Sequence, residues 1–232
     1  MIDMNVNFLF VAVLLLFIFL MIRGYKKGFL RMVIYFGGMI IILVATKRLS
    51  PGVCQYVLDN TGVYTTIRHT ITEKYAEKNS ERDNTISENQ IITIKSYSLP
   101  EILESKLIAN NTREMYSRLL VQLFDEYVSA YLARISVNAL VFIIMFCFLL
   151  ICFKLLLNVV DIISKIPIIK GLNKMAGSFL GLVEALLITW LVFFVVIIFI
   201  GNDVSDKMIV MINSSSFLTE IFNSNIFFDL IQ

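Results

Sequence analysis

Four long apolar runs, separated by basic or polar segments, dominate the chain. They cover residues 7–22, 28–46, 136–153 and 175–200. A helix of about 20 apolar residues spans the hydrocarbon core of a bilayer, and each run is close to that length. The pattern therefore predicts an all-α integral membrane protein with four transmembrane helices.

The runs and the segments between them divide the chain into four parts. Each pair of runs is expected to form a hairpin that closes on a short loop, residues 23–31 in the first hairpin and 160–174 in the second. The two longer segments should then lie together on the other side of the membrane. In chain order the parts are a transmembrane hairpin (1–46), an extracytoplasmic helical insertion (47–134), a second transmembrane hairpin (135–200) and an extracytoplasmic tail with short helices (201–232).

The placement of charge predicts how the four spans are oriented. Charged residues make up only 16% of the chain, against about 25% in soluble domains. Loop 23–31 carries four basic residues and no acid, and loop 160–174 carries Lys165, Lys170 and Lys174. Because basic residues in short loops stay in the cytoplasm, we expect both loops inside the cell and both chain termini outside.

The insertion contains several predicted elements. Apolar residues recur every four positions from Val63 to Tyr75, which predicts an amphipathic helix. A second amphipathic helix is predicted from about Thr112, and its stripe could run straight into the third span. The stretch "QIITIKS" (90–96) alternates and predicts a short strand. Ser98 is the expected N-cap of a further helix, with Pro100 and Glu101 in its first turn.

Two interpretations of these stripes remain open. They could form a binding face or a helix lying at the membrane interface. The alternative is a small helical cap in which the stripes pack against each other, and we favour this cap because an apolar stripe usually marks burial against a neighbour.

Side chains that could carry chemistry are sparse. His69 is the only histidine, and Cys54, Cys147 and Cys152 show no spacing typical of a metal site or of paired disulfides. We therefore expect no metal, no cofactor and no enzymatic activity. No basic stripe suggests nucleic acid, so the lipid bilayer is the main expected partner.

The start of the fourth span has two notable features. Gly177, Gly181 and Ala185 are spaced four apart and give one face of the helix small residues, which lets another helix backbone approach closely within lipid. Glu184 is the only acid in this run. It is either a pathway residue within the membrane or, as we favour, an interfacial carboxylate near Lys174 or Lys170.

Two motifs give the chain a family resemblance. The first is "GYKKGF", between the first two spans, and the second opens the fourth span with Pro167 followed by Asn173, Lys174 and two spaced glycines. Together with four spans and a Ser-rich tail, they resemble the colicin V production protein (CvpA) family of bacterial membrane proteins. The residues that carry the resemblance are Gly24, Lys26, Lys27, Gly28, Phe29, Pro167, Asn173, Lys174, Gly177 and Gly181.

The resemblance implies a multi-pass protein of the bacterial plasma membrane that is linked to production or export of a peptide toxin, colicin V. Three interpretations of its activity follow. The favoured one is a non-enzymatic accessory or scaffold protein that binds itself or other envelope and secretion proteins. The alternative is an oligomeric channel or small transporter with Glu184 near its pathway. An intramembrane enzyme is least favoured, because no reactive motif is present.

Overall fold

The computed structural model describes residues 7–75, 88–159 and 172–231, and every regular element in these ranges is a helix. The predicted all-α class is therefore confirmed. In chain order the helices are α1 (Phe8–Lys27), α2 (Phe29–Asn60), α3 (Val63–Tyr75), α4 (Glu88–Ser96), α5 (Glu101–Ala109), α6 (Arg113–Leu119), α7 (Phe124–Val159), α8 (Leu172–Ile198), α9 (Asp203–Asn213), α10 (Ser216–Asn223) and α11 (Phe227–Leu230).

Four of these helices, α1, α2, α7 and α8, are long and apolar enough to cross a membrane. They coincide with the four predicted spans. At about 1.5 Å per residue, α2 and α7 reach about 48 and 54 Å, well beyond a hydrocarbon core of about 30 Å. Their extra length carries both helices out of the apolar belt, and α3 packs against both of them.

The spans form an antiparallel bundle around α8. That helix packs along α1 and also contacts α2 and α7, while α2 packs against α7. We name the two ends of the bundle after the elements that lie there. At the turn end, α1 meets α2 and α8 begins. At the cap end lie the remaining helices, α3 to α6 and α9 to α11, which we call the cap layer.

The connection between the first two spans is much shorter than the predicted loop 23–31. Helix α1 continues to Lys27, α2 begins at Phe29, and Gly28 alone joins them. Gly28 has φ +77° and ψ 163°, a conformation that is open essentially to glycine only. The basic residues of this segment therefore lie on the ends of two helices.

The predicted amphipathic stripe from Val63 to Tyr75 is confirmed as α3. Ile71 and Tyr75 are buried, and the helix packs along α7. Tyr75 meets Tyr97 edge to face, with ring centroids 4.8 Å apart. The stripe is thus buried against neighbouring helices, as the favoured cap interpretation expected.

Three local predictions in the insertion were wrong. The stretch predicted as a strand is part of α4, whose Ile94 is fully buried, because an isolated strand has no partner for its backbone. Helix α5 is capped by Pro100 without a side-chain bond, and Ser98 instead lies in a left-handed turn with φ 54°. The helix that begins after Thr112 ends at the left-handed Leu120 instead of running into α7.

The predicted helical tail is confirmed as α9 to α11. The side chain of Ser215 accepts a hydrogen bond from the amide of Leu218 and caps α10. Trp190 of α8 donates its indole N–H to the carbonyl of Ile221 at 2.8 Å, and its backbone carbonyl accepts from the side-chain amide of Asn225 at 3.0 Å. These bonds, with the buried rings of Phe222, Phe227 and Phe228, dock the tail on the bundle.

Candidate functional site

A glycine contact joins α1 to α8 at the turn end. A β-carbon added to Gly177 would lie only 2.5 Å from the carbonyl oxygen of Gly24, and one added to Gly181 would lie 3.1 Å from the Cα of Met21. The two backbones therefore touch, which only small residues allow. Ser178, on the same stretch of α8, donates to the carbonyl of Met21 at 3.2 Å. Ala185, further along α8, is fully buried.

The Gly28 turn packs on the start of α8. A β-carbon on Gly177 would lie 2.9 Å from the Cα of Gly28, and one on Gly28 would collide with the side-chain amide of Asn173. The structure thus brings together residues from the two motifs of the sequence. Gly24 and Gly28 on one side meet Asn173, Gly177 and Gly181 on the other.

An ion pair lies beside this contact. Nη1 of Arg23 donates a hydrogen bond to Oε1 of Glu184 at 2.9 Å. The side chain of Arg23 is 38% exposed and that of Glu184 is 21% exposed. Glu184 thus pairs with α1 of the same chain, whereas the sequence suggested Lys174 or Lys170. Its second oxygen, Oε2, is buried and has no hydrogen-bond partner among the described residues. Pairing lowers the cost of placing a carboxylate within a membrane span.

Among the described side chains at the turn end, the other cations lie against aromatic rings or solvent. The ammonium of Lys27 lies 4.7 Å from the ring centre of Tyr35, and that of Lys174 lies 5.5 Å from the ring centre of Tyr25. Both are cation–π contacts. Lys26 and Phe29 are exposed. Pro167, which was predicted to precede the fourth span, lies outside the described residues.

The chemistry of this site is that of packing and charge pairing. No group of three or more histidine, cysteine, aspartate or glutamate side chains that could hold a metal is found within 7–75, 88–159 and 172–231. Arg23 was missed as the partner of Glu184, although both positions were predicted near the same membrane face. A group of basic side chains at the cap end, contributed by four helices, was also missed.

The comparisons with known proteins bear on the second half of the chain. The sequence model of the family described as colicin V production protein matches residues 114–225, from α6 to just beyond α10. Residues 114–225 are therefore similar to the colicin V production family. This confirms the predicted resemblance, and the match includes Asn173, Gly177, Gly181 and Glu184, whereas the turn residues 24–29 lie outside it. No curated protein and no solved structure gives a significant match.

Proposed function

We propose that this chain is a non-enzymatic accessory protein of the bacterial plasma membrane that supports production or export of a peptide toxin such as colicin V. The bundle anchors the cap layer, and the cap layer contacts other envelope or secretion proteins. The observation that carries the proposal is the construction of that layer. It is held to the spans by direct hydrogen bonds and by a continuous apolar core, so that it presents a fixed surface beyond the apolar belt.

Several specific contacts support a fixed cap layer. Tyr127 of α7 donates to the carbonyl of Leu107 in α5 at 2.6 Å, and Ser205 of α9 donates to that of Val196 in α8 at 3.0 Å. The amide of Asn7, at the start of α1, donates to the carbonyl of Met211 in α9 at 2.6 Å. Buried bonds of this kind are costly to break, because each leaves a polar group without a partner. A surface held in this way is suited to docking another protein without first having to order itself.

Charge supports the proposed orientation. Five basic residues lie towards the turn end, namely Arg23, Lys26, Lys27, Lys154 and Lys174. Basic residues close to the ends of spans favour the cytoplasmic side. The turn end is therefore proposed to face the cytoplasm, with the cap layer and both termini on the opposite face of the plasma membrane.

The alternative, an oligomeric channel with Glu184 near its pathway, has less support. The carboxylate is paired with Arg23 inside the chain, and the neighbouring helices are in backbone contact. A pathway beside Glu184 would have to separate both. Self-association is one outcome of the test below.

The test is whether this chain restores toxin export and what it contacts while doing so. In bacteria that make colicin V but lack their own family member, expression of the chain should return toxin to the medium. A photo-reactive phenylalanine in place of Ser117, exposed on α6, should then capture an envelope protein. The matched control carries the same group in place of Leu15, which is 60% exposed on α1 and should capture lipid.

Two outcomes would count against the proposal. A folded, membrane-inserted chain that leaves toxin inside the cell would remove the link to export. Capture of the chain alone from Ser117, together with ion flux in reconstituted vesicles that Glu184→Gln abolishes, would favour the channel.

A further inference from the structure

A cleft of about 550 Å³ opens at the cap end, beside the outer part of the spans. One wall is α2 from Lys47 onwards, and the facing wall is α7 around Arg134. Residues of α5 and α6 lie over it, and the end of the tail closes one side through Phe228, Leu230 and Ile231. The cleft is therefore built by the insertion, the tail and two spans together.

Four cations line this cleft, each from a different helix. They are Lys47 of α2, Lys106 of α5, Arg118 of α6 and Arg134 of α7, and the described lining contains no carboxylate. Lys106 makes an ion pair of 3.1 Å with Asp229, which is 78% exposed and lies outside the lining. Arg134 is half-buried and has no carboxylate within ion-pair distance among the described residues.

Lys47, Arg118 and Arg134 have no ion-pair partner among the described residues. Converging cations of this kind repel one another, and an anion in the cleft would relieve that repulsion. Guanidinium groups present several N–H donors in a planar fork that matches the oxygens of a phosphate. Two arginines and two lysines around one space therefore favour a phosphate group.

The cleft is also partly apolar, and an exposed apolar stripe on α2 leads away from it towards the middle of the span. Ile40 and Val44, which are 46% and 58% exposed, lie on the same side of α2 as Lys47 and Pro51, because the four positions follow the helical repeat. Lys47 is the first charged position at the cap end of this stripe. An acyl chain along Ile40 and Val44 would place its headgroup at Lys47.

We propose that the cleft binds the phosphate headgroup of an anionic phospholipid, with an acyl chain along the exposed stripe of α2. Lys47 and Arg118 reach the phosphate from the exposed rim, and Arg134 reaches it from the half-buried wall. The bound lipid would tie the cap layer to the membrane leaflet at that end of the bundle. This site is separate from the glycine contact, and its occupancy can be measured without toxin or export.

The experiment measures lipid bound to the purified full chain in detergent by native mass spectrometry. Titration with phosphatidylglycerol should give one tightly retained lipid, and zwitterionic phosphatidylcholine should be retained at least about tenfold more weakly, because it offers the cations no net charge. The double substitution Lys47→Gln with Arg118→Gln should weaken phosphatidylglycerol binding by about tenfold or more.

The matched control is Arg48→Gln with Arg113→Gln. It removes two exposed cations from the same two helices, and neither residue lines the cleft. Phosphatidylglycerol binding should then change less than about twofold. Equal weakening in both double variants would overturn the proposal, because general surface charge would explain it. Equal retention of phosphatidylcholine would also overturn it.

A further arm separates a lipid from a soluble phosphate. Glycerol phosphate carries the same group without acyl chains and should displace the lipid only at concentrations far above those at which the lipid binds. Displacement at equal concentration would show that the acyl chain adds nothing, and it would reassign the cleft to a soluble phosphate compound.

Discussion

The two ends of the bundle both collect positive charge but use it differently. At the turn end, Arg23 is paired with Glu184 and two lysines lie over aromatic rings, beside helices in backbone contact. At the cap end, Lys47, Arg118 and Arg134 face an open cleft whose described lining has no carboxylate. Compensated charge in tight packing supports structure, whereas uncompensated charge around a space favours a ligand.

The largest expected effect comes from filling the glycine contact. Gly177→Ala should destabilise the protein by about 2–3 kcal/mol, because its β-carbon would press on the backbone of α1. Gly37→Ala on α2 is the control, since nothing lies within 4 Å of a β-carbon there. That change should be neutral or stabilising by up to about 1 kcal/mol, because alanine favours helix. Thermal unfolding in detergent measures both, and equal effects of the two changes would contradict the contact.

The ion pair should have an intermediate effect. Arg23→Gln leaves Glu184 without its partner and should cost about 1–2 kcal/mol, less than the about 3–5 kcal/mol of a fully buried pair because Arg23 is 38% exposed. In the double variant with Glu184→Gln, the loss should be smaller than the sum of the two single losses. The control is Lys26→Gln, because Lys26 lies at the same end of the bundle and makes no ion pair among the described residues. Additive losses would show that the pair is not coupled.

The smallest expected effect on stability comes from removing two cations of the cleft. In lipid-free detergent, Lys47→Gln with Arg118→Gln should change stability by no more than about 0.5 kcal/mol, and in the stabilising direction, because like charges are removed. Addition of phosphatidylglycerol should then raise the unfolding temperature of the unchanged protein more than that of the double variant. A marked loss of stability without lipid would mean that these cations serve packing instead.

Long apolar runs and regular helical repeats could be predicted from the sequence, whereas pairings between distant helices could not. The spans follow from run length, and the α3 stripe follows from its four-residue repeat. The short run that forms α4 fits the repeat of a strand as well as that of a helix, and burial of Ile94 against its neighbours favours the helix. Gly177 and Gly181 could be placed on one face from their spacing alone. The helix that they meet could not be identified in this way.

Charge pairing and the cleft depend on topology in the same way. Arg23 and Glu184 are 161 positions apart, and spacing along the chain says nothing about such a pair. The cleft cations come from two spans, α2 and α7, and from two helices of the cap layer, α5 and α6, so they meet only through the packing of distant parts of the chain. In the sequence, none of these cations can be distinguished from an ordinary basic residue on the surface.

The orientation of the two ends is the claim on which the account depends most, and thiol labelling in intact cells tests it directly. In a chain with Cys54, Cys147 and Cys152 replaced by alanine, Ser117→Cys marks the cap end and Lys26→Cys marks the turn end. A membrane-impermeant maleimide should label Ser117→Cys in intact cells and Lys26→Cys only after the cells are opened. Labelling of Lys26→Cys in intact cells, with Ser117→Cys protected until they are opened, would contradict the account.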